Sequence, residues 1–200
     1  GEKALAAVGS SFTLMTFITS ILLGLCMGSG ALFSIRFGQR DENGLKEDIC
    51  ASFFFIAAVA VLLNMIAYVS LDGLRSFLRV PDEVWGDMRA YLFVIFMGIP
   101  AVFLYNYFTS YLRAIGNSVV PLVFLALSSV LNIILDLWFV IGLELEVSGA
   151  AQATVLSQYL SGLGIMLYTL VNHKQVRAIR KIGCLKKERI REILSFSMLT

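Results

Sequence analysis

The sequence predicts an all-α protein, a polytopic bundle of transmembrane helices. Hydrophobic residues make up 58% of the chain and charged residues only 15%, against about a quarter charged in soluble domains. One soluble core could not hide that apolar surplus. The charges are also segregated, leaving long charge-poor runs that each exceed the roughly 20 residues a helix needs to cross about 30 Å of hydrocarbon. These runs do not alternate apolar and polar residues at period two, which argues against a membrane β-barrel.

The first run, between Lys3 and Arg36, predicts a span over 5–35. It is too long for a signal peptide and carries scattered Gly and Ser. Gly24 and Gly28, extended by Gly30, mark a close helix approach. The second run, from Asp48 to Asp72, predicts a span over 49–71, and Pro81 marks a turn in the loop beyond it. The third, from Arg89 to Arg113, predicts a span over 90–112 that bends at Pro100, where a backbone hydrogen bond is lost. The fourth, over 119–143, has Pro121 near its start and one charge inside it, Asp136. The fifth covers 147–172, with Gly149, Ala150, Ala151 and Ala153 at its head.

Basic loops stay in the cytoplasm. Alternating the loops places Arg36, Arg40, Lys46, Arg113 and the basic residues from Lys174 to Arg191 on one side, and only Lys3, Arg75, Arg79 and Arg89 on the other. That asymmetry fixes the orientation. The expected organisation is a transmembrane bundle over 1–173, a basic cytoplasmic linker over 174–191 and the start of a second lobe over 192–200. The first residue is not Met, and the last eight open a new apolar run, so the chain is expected to be a piece of a longer protein. The linker is either a solvated segment or an amphipathic one with Ile182, Leu185, Ile190 and Ile193 on lipid. Its charges come without a base-reading pattern, so no nucleic-acid partner is expected. Cys26, Cys50 and Cys184 are scattered and are expected to be free thiols. His173, at the cytoplasmic edge, reads as an interfacial polar residue.

Asp136 is the informative residue. A carboxylate inside a span costs about 2.5–3.5 kcal/mol by insertion scales, so it must face protein or a wet cavity. Ser128, Asn132 and Asp136 are spaced to line one helical face, as are Thr154, Gln158 and Ser161 in the next span. The short 142–149 connection makes these spans antiparallel neighbours, with Asp136 and Thr154 expected at one depth, roughly 10 Å from the external helix ends. Such a pocket could bind and release a proton, or its oxygens could replace the hydration shell of Na⁺. The alternative is helix glue, since interhelical hydrogen bonds are worth about 0.6–2 kcal/mol. Ser128, Gln158 and Ser161 fit the glue. Asp136 does not, because Asn or Ser would serve there at lower insertion cost.

The run Arg113-Ala114-Ile115-Gly116-Asn117-Ser118-Val119-Val120-Pro121, then Leu131-Asn132-Ile133-Ile134-Leu135-Asp136 and Gly149-Ala150-Ala151-Gln152-Ala153-Thr154, resembles the fifth and sixth helices of the multidrug and toxic compound extrusion (MATE) family. The opening Ala4-Leu5-Ala6-Ala7-Val8-Gly9 and Gly24-Leu25-Cys26-Met27-Gly28 resemble its second helix. The resemblance implies a twelve-helix, two-lobed antiporter, with this chain supplying helices two to six and the start of helix seven. It implies a cation site at Asn132, Asp136 and Thr154, with the Ala150 carbonyl as a further ligand. Tyr91 falls where some members place a pocket tyrosine and, with Gln158, forms the candidate substrate pocket. The family's first helix usually adds another acidic residue, which this chain lacks.

The expected function is export of organic, cationic or amphipathic drugs across the plasma membrane, driven by H⁺ or Na⁺ and without a cofactor. Its expected partners are the bilayer, the small organic substrates and the second lobe of the same chain. A lipid-linked oligosaccharide flippase is the nearest alternative, but it should carry cationic side chains inside its cavity. A membrane-embedded enzyme is remoter, since the spans hold one acid and no histidine to act with it.

Overall fold

The computed structural model describes residues 2–78, 82–180 and 187–197. Pro81, Cys184 and the stretches 181–186 and 198–200 lie outside the described residues. Seven α-helices follow in order: α1 (Glu2–Gly38), α2 (Glu42–Leu78), α3 (Asp82–Met97), α4 (Ile99–Ala114), α5 (Val119–Asp136), α6 (Glu146–Asn172) and α7 (Lys187–Ser197). A π-helical turn, Leu137–Gly142, prolongs α5, and a short 3₁₀ turn, Val176–Arg180, follows α6.

Among the described residues, five stretches are long and apolar enough to cross a membrane: Met15–Gly38, Glu42–Leu71, Met88–Ala114, Val119–Gly142 and Ser148–Asn172. In hydrocarbon each backbone polar group needs an internal partner, which selects helices for such runs. The third stretch is broken where expected. Pro100 removes an amide donor, and α3 gives way to α4 at Gly98, whose N–H instead reaches the Ile95 carbonyl at 2.9 Å.

The turns are built by residues suited to them. Asp41 Oδ1 accepts the Gly44 N–H at 2.9 Å at the start of α2. Gly116, with φ at +85°, closes α4, and the Asn117 N–H bonds the Leu112 carbonyl at 2.8 Å. Asn117 Oδ1 then accepts the Val120 N–H at 3.2 Å and caps α5. Arg177 satisfies the end of α6 by donating to the Leu170 and Val171 carbonyls at 2.9 and 2.7 Å.

The core lies among α1, α2 and α4. Phe33, Phe53, Phe103, Tyr107, Phe108 and Tyr111 meet there at edge and tilted angles. The buried Tyr107 hydroxyl donates to the Ile49 carbonyl at 2.6 Å and sits 2.8 Å from Ser52 Oγ. That fixes α2 to α4. On its other side α4 packs along α6, and α5 lies outside α6 with only Pro121 and Leu135 buried.

Three expectations need correction. Ile193 does not face lipid: it is fully buried against Leu32 and Ala51, because α7 packs on α1 and α2. Of the small-residue series, Gly28 and Gly30 meet Ser197 and Ser110, whereas nothing stands within 4 Å of a side chain added at Gly24. Cys50 is disulfide-bonded, while Cys26 is free and buried. Pairing depends on proximity in space, which spacing along the chain does not reveal.

His173 stands edge-on to Tyr111, with ring centroids 5.6 Å apart at 81°. Burial holds its pKa below the ordinary imidazole value. Because the folded value is the lower one, its contribution to stability is complete above the unfolded pKa and fades as pH falls through the folded one. Melting scans from about pH 7 to about pH 5 should therefore show a slightly smaller loss of stability in His173→Gln than in the parent.

Candidate functional site

The facing polar stripes of α5 and α6 are present. Ser128 Oγ donates to the Ser157 carbonyl at 3.0 Å, Ser161 Oγ to the Phe124 carbonyl at 3.3 Å, and Asn132 Nδ2 to Thr154 Oγ1 at 3.4 Å. Ser128 and Ser161 thus act as interhelical glue. The Asn132 bond is long for an N–H donor, leaving the pair room to reorganise.

These bonds fix the register of the two helices, and it differs by one turn from the depth expected. Thr154 lies level with Asn132, and the same register carries Asp136 toward Gly149 and Ala150. The cause lies in the connection: α6 already begins at Glu146, which adds most of a turn before Thr154, and after Asp136 the chain widens into the π-helical turn 137–142, which packs against the head of α6. Such wide turns are rare and collect at functional sites.

At this level the polar atoms are unequally satisfied. Thr154 Oγ1 donates to the Ala150 carbonyl at 2.9 Å and accepts from Asn132. As a carbonyl inside α6 it also accepts the helical Thr154 N–H, so both its lone pairs are engaged. Asp136 is half-buried, and its Oδ1 is a buried oxygen with no hydrogen-bond partner among the described residues. An unpaired buried acceptor carries its full desolvation cost. A hard cation or a proton would relieve that cost, and the oxygens nearest along the stripe, those of Asn132 and Thr154 one helical turn away, are of the kind that suits either. Among the described residues there is no cluster of three or more His, Cys, Asp or Glu able to hold a transition metal.

Deeper in the lobe, a cavity of about 190 Å³ opens between α4, α5 and α6, lined by Tyr105, Asn106, Ser128, Gln158 and Ser161 with apolar Ala101, Val102 and Leu125. Gln158 reaches it from the α6 stripe. Tyr91 instead packs against the core cluster from α3 and does not line this cavity. Tyr105 and Asn106 escaped sequence reasoning. Each donates to a backbone carbonyl, of Pro121 at 3.1 Å and Val102 at 2.8 Å respectively. The signal for Asn106 was available, as a carboxamide inside the third span.

The MatE family model matches residues 1–138, which span α1 to the end of α5. The chain belongs to the MatE family. This multidrug efflux transporter family, not an enzyme family, thus accounts for the membrane bundle. Among relatives, the chain is 31% identical over 176 residues to the probable multidrug resistance protein YpnP of Bacillus subtilis (strain 168), covering 88% of this chain and 39% of the relative. It is 28% identical over 193 residues to the multidrug export protein MepA of Staphylococcus aureus (strain bovine RF122 / ET3-1), covering 94% of this chain and 43% of that protein. A solved MATE structure in complex with MaD5 is similar at a TM-score of 0.87 and 26% identity, covering 99% of this chain and 46% of that one. The chain spans less than half the length of the curated relatives it matches.

Proposed function

We propose that this MatE chain supplies the cation-coupled lobe of an antiporter that exports organic, cationic or amphipathic compounds across the plasma membrane. The observation that carries the reading is the unpartnered, buried Asp136 Oδ1, one helical turn beyond the Asn132–Thr154 bond on the same face of α5. A proton or Na⁺ from outside neutralises Asp136. In the sodium case Thr154 Oγ1, the Asn132 amide oxygen and the Ala150 carbonyl add ligands, which requires the amide to turn its oxygen inward and the carbonyl to free a lone pair. Neutralising the carboxylate changes what the α5 end prefers to pack against, and the drug site loosens. Drug and cation then weaken each other's binding reciprocally. Gln158, Asn106 and Tyr105 offer a drug polar contacts in a largely apolar cavity, as small-molecule sites do. That lining carries no cationic side chain for a pyrophosphate headgroup, which favours the exporter over the flippase. In this reading α7 opens the second lobe.

The test is a full-length transporter carrying this sequence, reconstituted in vesicles with a fluorescent organic cation. An imposed inward proton or sodium gradient should drive export, and the ion that does so is the coupling ion. Transport that ignores both gradients would reject the coupling.

A further inference from the structure

Among the described residues, a dense cluster of charges lies away from the proposed cation site, at the end assigned to the cytoplasm, where α7 meets α1 and α2. The Asp48 side chain is fully buried there between two arginines: its Oδ2 accepts from Arg36 Nε at 2.8 Å, and its Oδ1 lies 3.1 Å from Arg189 Nη1. Arg36 Nη2 also reaches Glu192 Oε1 at 3.3 Å, and Arg189 Nη2 reaches Glu47 Oε2 at 3.2 Å. Three of the charged members stand on α1 and α2, and two stand on α7.

The α7 members share a face. Arg189, Glu192, Ile193 and Phe196 follow helical spacing, Ile193 is buried between Leu32 and Ala51, and Phe196 packs against the same cluster. Further along, Ser197 closes on Gly28 so tightly that a side-chain carbon added to that glycine would lie 2.5 Å from Ser197 Cα. The contact is thus specific from the helix start to its last described turn.

What distinguishes this cluster from a static staple is how its charges divide. Arg36 and Asp48 already form a pair on the α1 and α2 side. Arg189 and Glu192 form another within α7, at 3.4 Å and i,i+3 spacing. When the two sides part, Asp48 keeps Arg36 and Arg189 keeps Glu192. Breaking a buried pair is costly because it leaves a charge without a partner. Here parting leaves no buried charge alone: Glu47, which gives up Arg189, is a carboxylate that is 42% exposed. The neighbouring α2–α4 contact is built oppositely, since separation would strip the buried Tyr107 hydroxyl of both the Ile49 carbonyl and Ser52.

We propose that Arg36, Asp48, Arg189 and Glu192 form a separable latch, closed while the inner mouth is shut and parted when α7 leaves α1 to admit substrate from the cytoplasm. The proposal rests on the exporter reading and adds to it the residues that hold the inner side closed. Arg36 and Asp48 stay with the first lobe, and Arg189 and Glu192 travel with α7.

Leu32→Cys with Ile193→Cys in the full-length transporter tests this, because both positions lie in the one buried α1–α7 cluster. Oxidation should form the cross-link and lower efflux by about tenfold, and reductant should restore it. The single variants under the same oxidant and reductant control for the Cys26 thiol and for the native disulfide at Cys50. Undiminished efflux by cross-linked protein would overturn the latch, as would failure of the pair to cross-link. A second measurement does not require transport: Arg189→Gln should speed labelling of Ile193→Cys by a membrane-impermeant maleimide added at the cytoplasmic face. Unchanged labelling would also overturn the latch. Absence of efflux from the reduced protein would reject the exporter reading instead, and the labelling result would still decide the latch.

Discussion

Asp136→Asn in the full-length transporter is expected to abolish the effect of the coupling cation on drug binding while leaving the fold intact. In the parent, adding the coupling ion should weaken binding of an organic cation by about 5- to 150-fold, the usual range for coupled sites. In the variant, affinity should be the same with and without the ion, and gradient-driven efflux should stop. Stability separates this outcome from a structural one. Asp136 Oδ1 makes no hydrogen bond among the described residues, so an amide in its place loses no bond through that atom and is cheaper to insert than a carboxylate. Melting of Asp136→Asn should therefore match or exceed that of the parent. Thr154→Val provides the contrast, since it removes the donor to the Ala150 carbonyl and the acceptor for Asn132. It should weaken cation binding and also cost about 1 kcal/mol or less of stability. A cation effect that survives intact in Asp136→Asn would remove the carboxylate from the coupling mechanism.

The sequence reading succeeds where the controlling physics is local. Spans follow from runs of apolar residues, and the break at Gly98 follows from Pro100. The facing of α5 and α6 follows from the helical spacing of Ser128 and Asn132 against Thr154 and Ser161. It fails by one turn in the relative depth of Asp136 and Thr154, because α6 begins at Glu146 and the π-helical turn after Asp136 packs Phe139 and Leu145 at Gly149. No spacing rule contains that. Small residues announce close packing without naming the partner: Gly28 proves to serve α7, whereas a side-chain carbon added at Gly24 would have open space. The Asp48 cluster is the clearest loss. Arg36 and Glu192 are separated by 156 positions in the chain, and each alone reads as a topology-setting charge at a helix end. Of the two readings of the linker, the one with Ile193 on lipid fails for the same reason, since an apolar residue near an interface faces lipid or protein according to a neighbour the sequence does not show.

The second large effect is expected at Gly162, where α6 runs against α4. A side-chain carbon there would lie 2.7 Å from the Ala101 carbonyl oxygen and 3.4 Å from Leu104 Cβ. The obstacle is backbone, which no rotamer change can clear. Ala101 is fully buried just after Pro100, and α4 is held on its far side by the aromatic core. To admit even a methyl group, α6 must move outward, and overpacking of this kind costs about 1–3 kcal/mol, more for a larger group. Gly162→Ala should lower the melting temperature measurably, and Gly162→Leu should leave little monodisperse protein. Gly164→Ala should be milder, because the atom it would strike, Phe124 Cε1 at 2.6 Å, belongs to a ring that can turn. Gly24→Ala, with open space around it, should be neutral or stabilising by up to about 1 kcal/mol through helix propensity. That ranking, read by thermal unfolding in detergent, tests the α4–α6 contact independently of any transport assay. The same contact forms one wall of the cavity that Gln158 and Asn106 line, so Gly162→Ala should also weaken drug binding while preserving its sensitivity to the cation. If Gly162→Ala melts with the parent, α4 and α6 are not packed this closely, and the cavity between them loses its geometry.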